Sequence, residues 1–136
     1  MTTQPVVELI RSPELADSAP YSCAAVVRGA SRLIFTAGAC PLDADGATVA
    51  IGDVTGQTEA SVANLVTALE AAGAGLTDVV KTTIYVASHH RQDLLAAWSV
   101  ISAAFAPHDV PSTLLGVAVL GYPDQLVEVE AIAAVG

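Results

Sequence analysis

The chain has 136 residues, of which 53% are apolar and only 14% are charged. This length predicts one domain spanning residues 1–136. The sequence contains no run of about 18 uninterrupted apolar residues, so no membrane span is expected. Five basic residues against fourteen acidic ones give a net charge of −9, and the basic residues are scattered along the chain. A polyanion would be repelled, which argues against nucleic acid as a partner.

The low fraction of charged residues also bears on assembly. A typical domain has about 25% charged residues, whereas this chain has 14%. So few charges cannot cover the surface of a small monomer, which favours burial of apolar surface between identical subunits. The first eight residues contain no basic stretch followed by an apolar core, so we expect no signal peptide and a cytoplasmic location.

Cys23 and Cys40 are the two cysteines, and they lack metal-ligand spacing. The sequence favours two buried thiols without a disulfide bond, as is usual in a reducing compartment. A reactive thiol is the alternative interpretation.

Three strands are predicted in the first third of the chain. Residues 6–10 form a short apolar stretch. Residues 22–28 and 33–37 are apolar and β-branched runs separated by Gly-Ala-Ser, which predicts a β-hairpin in which Gly29 takes a positive φ.

Two helices and a further strand follow. A helix is predicted to begin at a cap formed by Asp53 or Thr55 and to end near Gly73. Residues 79–86 have the composition of a strand, and a second helix is predicted over residues 90–105, ended by Pro107. The apolar stripes that predict the two helices are Val62, Leu65, Val66 and Leu69, and then Leu94, Trp98, Ile101 and Phe105.

Residues 110–133 are predicted to form two strands joined by a Gly-Tyr-Pro-Asp turn. Side chains alternate along a strand, so Glu128 and Glu130 share one face and their apolar neighbours share the other. Two acids on an apolar strand need solvent, hydrogen-bond donors or a pocket. They either pair with basic residues or face solvent at a subunit edge, or one lies in an apolar pocket and performs acid–base chemistry. The pattern does not choose between these alternatives.

The predicted order is β-β-β-α-β-α-β-β. It is typical of an α+β two-layer sandwich, in which two helices cover one face of a mixed β-sheet. The other face of the sheet requires a cover, and we expect another subunit to provide it.

Several blocks of this sequence resemble one family. The resemblance covers nearly the whole chain after about residue 18, and it is to the Rid family, also called the YjgF family of reactive-intermediate deaminases. The blocks are Ala-Pro-Tyr-Ser at 19–22, Phe-Thr-Ala-Gly at 35–38 with Pro-Leu-Asp at 41–43, Leu-Glu-Ala-Ala-Gly at 69–73, Asp-Val-Val-Lys-Thr-Thr at 78–83 and Val-Glu-Val-Glu-Ala-Ile-Ala at 127–133.

The resemblance implies a chorismate-mutase-like α+β fold and a homotrimer. In such trimers the sheets surround a central barrel, and pockets for small molecules lie at the three subunit interfaces. Family members of the deaminase type hydrolyse enamines and imines derived from amino acids. They need no metal or organic cofactor, so none is expected here.

The resemblance also implies roles for individual residues. Glu128 corresponds to the acid that positions or activates water, and Glu130 to a second, more structural acid. Tyr21 would line the pocket and Gly38 would offer backbone contacts there. Thr113 stands where the family presents a small polar residue or cysteine.

One departure from the family pattern affects the expected substrate. Pro111 precedes Ser112, where deaminase-type members have an arginine that grips the substrate carboxylate with a two-pronged contact. Proline has neither a charge nor a donor. A charge-assisted hydrogen bond contributes about 1.5–3 kcal/mol, so hydrolysis of a free 2-imino acid should fall by roughly ten- to several-hundred-fold or more. Ala37 and Ala39 also stand where those members have Ser and Gln, which makes the substrate-binding set less polar.

The function expected from the sequence is that of a Rid-like trimer whose pocket takes a small molecule that is uncharged or anchored differently. That molecule would be an imine or enamine, with Glu128 as general acid or base. A non-catalytic protein that binds a metabolite at the same interface is the alternative, and an endoribonuclease is disfavoured by the charge of −9. The sequence leaves open whether Arg28, Arg32 or Arg91 of a neighbouring subunit replaces the missing arginine.

Overall fold

The structure is a computed structural model that describes residues 4–136. Residues 1–3, which belong to the segment on which the signal-peptide expectation rests, lie outside the described residues. The order predicted from the sequence, β-β-β-α-β-α-β-β, is confirmed. The elements are β1 (Val7–Ile10), β2 (Ala24–Val27), β3 (Arg32–Phe35), α1 (Val54–Ala71), a 3-10 turn (Leu76–Asp78), β4 (Val79–Val86), α2 (Arg91–Phe105), β5 (Ser112–Gly116) and β6 (Val127–Val135).

Four strands form a mixed sheet in the order β3-β6-β4-β5. β6 runs antiparallel to both of its neighbours, whereas β4 and β5 are parallel. β1 and β2 form a separate antiparallel ladder. The predicted α+β class with a mixed sheet is therefore confirmed.

The predicted hairpin between residues 22–28 and 33–37 is wrong. β2 pairs with β1, where Val7 stands opposite Val27, and β3 pairs with β6. Gly29 does adopt a positive φ of 64°, but the turn carries the chain away from β2. The backbone N–H of Ser31 donates to the Val135 carbonyl at 2.9 Å, which places β3 along the long strand β6.

The two C-terminal strands are present, but they do not pair with each other. β5 and β6 lie on opposite sides of β4, and the segment 117–126 crosses from one side to the other. A parallel β4–β5 pair needs a long crossover connection, which α2 provides.

Both helices begin and end as the sequence predicts. The Asp53 side chain caps α1 by accepting from the Gly56 N–H at 3.0 Å, and Gly73 follows the helix with a φ of 84°. α2 ends at Phe105, two residues before Pro107. No helix among residues 4–136 is both long and apolar enough to cross a membrane.

The helices cover one face of the sheet and leave the other uncovered. The alternation along β6 is confirmed, because Glu128 and Glu130 lie on the face opposite the core; we call this the open face. Leu33 and Phe35 on β3 remain 56% and 69% exposed. The core on the helix side includes Leu65, Leu69, Ile84, Val86, Ala97, Ile101, Phe105, Val127, Val129 and Ala131.

The expectation of two buried thiols is wrong for Cys23. Both cysteines are free, but Cys23 is exposed and only Cys40 is partly buried. Cys23 lies just before β2, where its thiol donates to the Ile10 carbonyl at 3.2 Å rather than packing in the core.

Candidate functional site

The carboxylate of Glu128 is held in one orientation on the open face. Its Oε1 accepts a hydrogen bond from Gln125 Nε2 at 3.2 Å and lies 3.3 Å from Cys40 Sγ. Its Oε2 lies against Gly38, where a Cβ atom would come within 2.6 Å of the Glu128 Cγ. No residue in the described part of the chain donates a hydrogen bond to Oε2. One oxygen is therefore fixed, and the other is available to a ligand or water.

The segment that follows β3 brings Gly38 and Cys40 to this carboxylate. Ala39 and Val129 exchange two backbone hydrogen bonds, at 2.7 and 3.1 Å, so residues 38–40 run alongside the start of β6. A Cβ atom at residue 38 would collide with the Glu128 side chain in its present position, so the glycine lets Glu128 lie against this segment.

A buried amide fixes the other side of Glu128. Gln125 is 4% exposed, and its side chain also donates to the Val127 carbonyl and accepts from the Tyr122 N–H. Gln57 on α1 is fully buried; it donates to the Asp124 carbonyl at 2.9 Å and accepts from the Leu126 N–H at 2.7 Å. The first helix thus positions the turn that positions Glu128.

The environment of Cys40 keeps its thiol protonated. Burial, followed by the hydrogen bond and the negative charge of Glu128, raises the pKa of Cys40 from 9.0 to about 11. The thiol has one proton, which it donates either to Glu128 or to the Gly38 carbonyl at 3.4 Å. At neutral pH Cys40 is a hydrogen-bond donor rather than a nucleophile.

A second group of predicted residues lies along the free edge of β5. Tyr21, Ser112 and Thr113 line a cavity of about 480 Å³ together with Leu95 and Trp98. The ring of Tyr21 stands edge-on to that of Trp98, with the centroids 6.0 Å apart.

The strand residues of this group are engaged within the sheet. The Ser112 hydroxyl lies 2.6 Å from Thr82 Oγ1 and donates to the Val110 carbonyl. Pro111 is buried, and its carbonyl accepts from the Thr82 N–H at 3.0 Å. The position therefore carries neither a charge nor a free donor.

The structure separates the predicted site residues into these two groups. Ala37 is exposed and adjoins Gly38 next to Glu128, but none of these three residues lines the cavity of Tyr21. Strand β4 lies between the groups, since Tyr85 stands opposite Glu128 on one side and Leu115 on the other. A single site that contains all of these residues remains a prediction.

Sequence reasoning missed several polar residues around Glu128 and Glu130. Cys40 and Gln125 contact Glu128. Lys81, Thr83 and Tyr85 lie on one face of β4. The alternation of these three residues along β4 was the signal in the sequence that could have identified them.

The partners of Glu130 and Lys81 are uncharged. The Tyr85 hydroxyl donates to Glu130 Oε1 at 2.7 Å, and this hydrogen bond, with some burial and the negative charge, raises the pKa of Tyr85. Lys81 Nζ donates to Thr113 Oγ1 at 2.6 Å.

The arginines that the sequence offered as substitutes lie elsewhere on the chain. Arg28 pairs with Glu8 on the β1–β2 ladder, and Arg32 donates to the Ala72 carbonyl at the end of α1. Arg91 lines a cavity of about 650 Å³ near the start of α2. In residues 4–136 no group of three or more His, Cys, Asp or Glu side chains is placed to hold a metal ion.

The fold and this carboxylate define a class: α+β proteins in which two helices back a mixed sheet whose open face carries acidic residues. The family model described as Endoribonuclease L-PSP matches residues 12–135. A RutC family protein of Pyrococcus abyssi is 36% identical over 117 residues, which are 84% of this chain and 85% of that protein. This family model and this relative both belong to the Rid/YjgF family, and the chain is therefore a member of that family.

Solved structures confirm the fold implied by the resemblance. The crystal structure of YyfB from Yersinia pestis, a protein of unknown function in the Rid family, is 30% identical with a TM-score of 0.89, covering 96% of this chain and all of that one. A putative endoribonuclease from Thermotoga maritima is 32% identical with a TM-score of 0.68, covering 97% of this chain and 98% of that one. The chorismate-mutase-like arrangement is therefore confirmed.

Proposed function

We propose that the chain is one Rid-like domain that forms a cytoplasmic homotrimer and hydrolyses a small imine or enamine at its subunit interfaces. Glu128 is the general acid and base. The observation that carries this proposal is the asymmetry of the Glu128 carboxylate: Oε1 is held by Gln125 and Cys40, while Oε2 has no donor among the described residues. A base fixed in this way can accept a proton without reorienting.

The exposed parts of one chain support its assembly with identical subunits. Leu33 and Phe35 leave apolar surface on the open face, and β5 leaves one edge unpaired. Such surfaces are typical of contacts between subunits. A neighbouring subunit would also bring the Tyr21 group of one chain to the Glu128 group of the next.

The proposed chemistry needs no metal or organic cofactor. Water attacks the carbon of the C=N bond, and Glu128 Oε2 takes one proton from this water and passes it to the nitrogen, which gives a neutral carbinolamine. Glu128 then takes the proton of the carbinolamine hydroxyl and delivers it to the nitrogen as the C–N bond breaks. Ammonia leaves, the C=O bond of the product forms, and the Glu128 carboxylate is regenerated.

The surroundings of Pro111 define the expected substrate. Because residue 111 is buried and has no charge, either the substrate has no charge at this position or another group of the protein anchors that charge. Tyr21 and Thr113 would orient it, with backbone contacts from Ala37 and Gly38 and a minor contribution from Ser112, whose hydroxyl is engaged within the sheet.

Hydrolysis of imines generated in situ tests the proposal. One imine should carry a free carboxylate and one should be uncharged. We expect Glu128→Ala to abolish hydrolysis of the preferred imine while the oligomer stays intact by light scattering. Glu59→Ala, on the exposed side of α1, is the control and should retain full activity. Full activity in Glu128→Ala would overturn the proposal.

The Pro111→Arg variant separates a lost anchor from an incompetent site. Activity towards the carboxylate-bearing imine that appears only in this variant would mean that Glu128 is competent and only the anchor is missing. Strong activity in the natural protein would mean that another group supplies the anchor.

A non-catalytic metabolite-binding role is the second candidate. The buried, uncharged Pro111 favours it, because the charged contact implied by the resemblance is absent. Calorimetric binding of an imine that is never turned over would support this role. Endoribonuclease activity, suggested by the family description, conflicts with the net charge of −9.

A further inference from the structure

A small cavity on the open face holds two opposite charges. Its volume is about 220 Å³, and its walls include Lys81, Thr83 and Glu130 together with Phe35 and Ile132. The cavity is therefore lined by one cation and one anion, and the rest of its lining is formed by two threonines and by apolar residues.

The two charges are neighbours on the sheet, yet they do not pair. Thr83 stands directly opposite Glu130, and Lys81 stands opposite Ile132, so Lys81 and Glu130 are diagonal neighbours on adjacent strands. Diagonal positions of this kind are about 7–8 Å apart, which is within reach of a lysine and a glutamate. The ion pairs formed by residues 4–136 are Arg11–Asp109 and Arg28–Glu8, and neither involves this cavity.

Neutral partners hold the charges apart. Lys81 extends towards β5, where its Nζ donates to Thr113 Oγ1 at 2.6 Å. Glu130 accepts from the Tyr85 hydroxyl at 2.7 Å. An ammonium has three donors and a carboxylate has several acceptor sites, so both groups keep capacity for a ligand.

We propose that this cavity binds a small zwitterion, an α-amino acid, with the carboxylate on Lys81 and the ammonium on Glu130. An anion alone would be repelled by Glu130 and a cation alone by Lys81, whereas a zwitterion matches both charges. Thr83 adjoins both charged residues on the sheet, and Phe35 and Ile132 receive the side chain. The volume is below the roughly 300–1,000 Å³ of drug-sized sites, which favours a small amino acid.

The amino-acid site can be tested separately from the chemistry proposed at Glu128, because its experiment measures binding and not turnover. The two proposals meet only through assembly: packing of open faces in a trimer would close the cavity and exclude water from it. That exclusion strengthens both charge contacts.

Calorimetry on the full-length protein tests the site with three probes: L-alanine, propionate and ethylammonium. We expect L-alanine to bind at least roughly tenfold more tightly than either of the other two. Lys81→Met should weaken L-alanine binding by roughly tenfold or more and abolish any binding of propionate. Glu130→Gln should weaken L-alanine to a similar extent and abolish any binding of ethylammonium.

Arg28→Gln removes a cation of the β1–β2 ladder and should leave L-alanine binding unchanged. Glu128→Ala, which tests the hydrolase proposal, should also leave it unchanged, so the two proposals can fail separately. Equal affinities in the natural protein, Lys81→Met and Glu130→Gln would overturn the site, as would the absence of L-alanine binding to the natural protein. Light scattering could instead show weaker assembly of Lys81→Met and Glu130→Gln while their affinity for L-alanine is unchanged. That result would assign the two charges to a subunit contact and would also overturn the proposed site.

Discussion

Replacement of Gly38 by alanine is a direct test of how Glu128 is held. Gly38 is not among the glycines with a positive φ, so the backbone accepts an alanine without strain. The added Cβ would lie 2.6 Å from Glu128 Cγ, whereas real Cβ atoms keep at least 3.0 Å. The glutamate side chain is flexible, so it must move, and the carboxylate must leave Gln125 and Cys40.

The magnitude follows from the contacts that are lost. A hydrogen bond to a charged group contributes about 1.5–3 kcal/mol, but the displaced carboxylate regains water on the open face. We therefore expect the free energy of unfolding to fall by only about 1–2 kcal/mol. Activity should fall by about 100-fold, because a misplacement of about 1 Å is enough for such a loss.

The pKa of Cys40 reports the displacement without any substrate. In Gly38→Ala it should fall below about 11, because the hydrogen bond and charge of Glu128 are removed, yet stay above 9.0, because burial remains the largest cause. Thiolate absorbance in a Cys23→Ser background measures it. Gly121→Ala, whose Cβ would meet nothing within 4 Å, is the control. An unchanged Cys40 pKa and full activity in Gly38→Ala would refute the reasoning.

Three further predictions concern the supports of the site and the fold. Gln125→Leu removes the hydrogen bonds that a buried amide makes to the Tyr122 N–H, the Val127 carbonyl and Glu128, so urea denaturation should show a loss of about 1–3 kcal/mol; a change under 0.5 kcal/mol would contradict the role of this amide. Because the folded pKa of Cys40 is raised, its stabilising contribution is complete below pH 9.0 and is lost as the pH rises towards about 11. The free energy of unfolding should therefore change more between about pH 8 and about pH 10.5 in the natural protein than in Cys40→Ser. Asp53→Ala should destabilise by about 1 kcal/mol with unchanged turnover; reduced turnover would tie the α1 cap to the site.

The sequence predicted the elements well because their signals are local. The stripe from Val62 to Leu69 and the alternation around Glu128 depend on spacing alone. The pairing of strands was predicted poorly, since β2 and β3 are close in sequence yet take partners on different sheets. A turn at Gly29 indicates a change of chain direction, but it does not determine which strand the residues after the turn will pair with.

The candidate site was predicted only in part for a similar reason. Glu128 was found from its own strand, whereas Cys40 and Gln125 become its partners only when the segment after β3 and the turn before β6 reach it. Lys81 is part of the resemblance, but its significance depends on Glu130 on the adjacent strand and Thr113 on the other side. These relations join residues that are far apart in sequence, and periodicity contains no information about them.

The position of β6 has a consequence for how the chain folds. It is the last of the described strands in sequence, yet it lies in the interior of the sheet and is the partner of both β3 and β4. During synthesis β3 therefore waits for about ninety residues before its partner emerges, and its backbone lacks the β6 pairing throughout that time. Long-range pairing of this kind slows folding and prolongs the exposure of unpaired edges. The nascent chain should be most prone to aggregation immediately before residues 127–135 leave the ribosome.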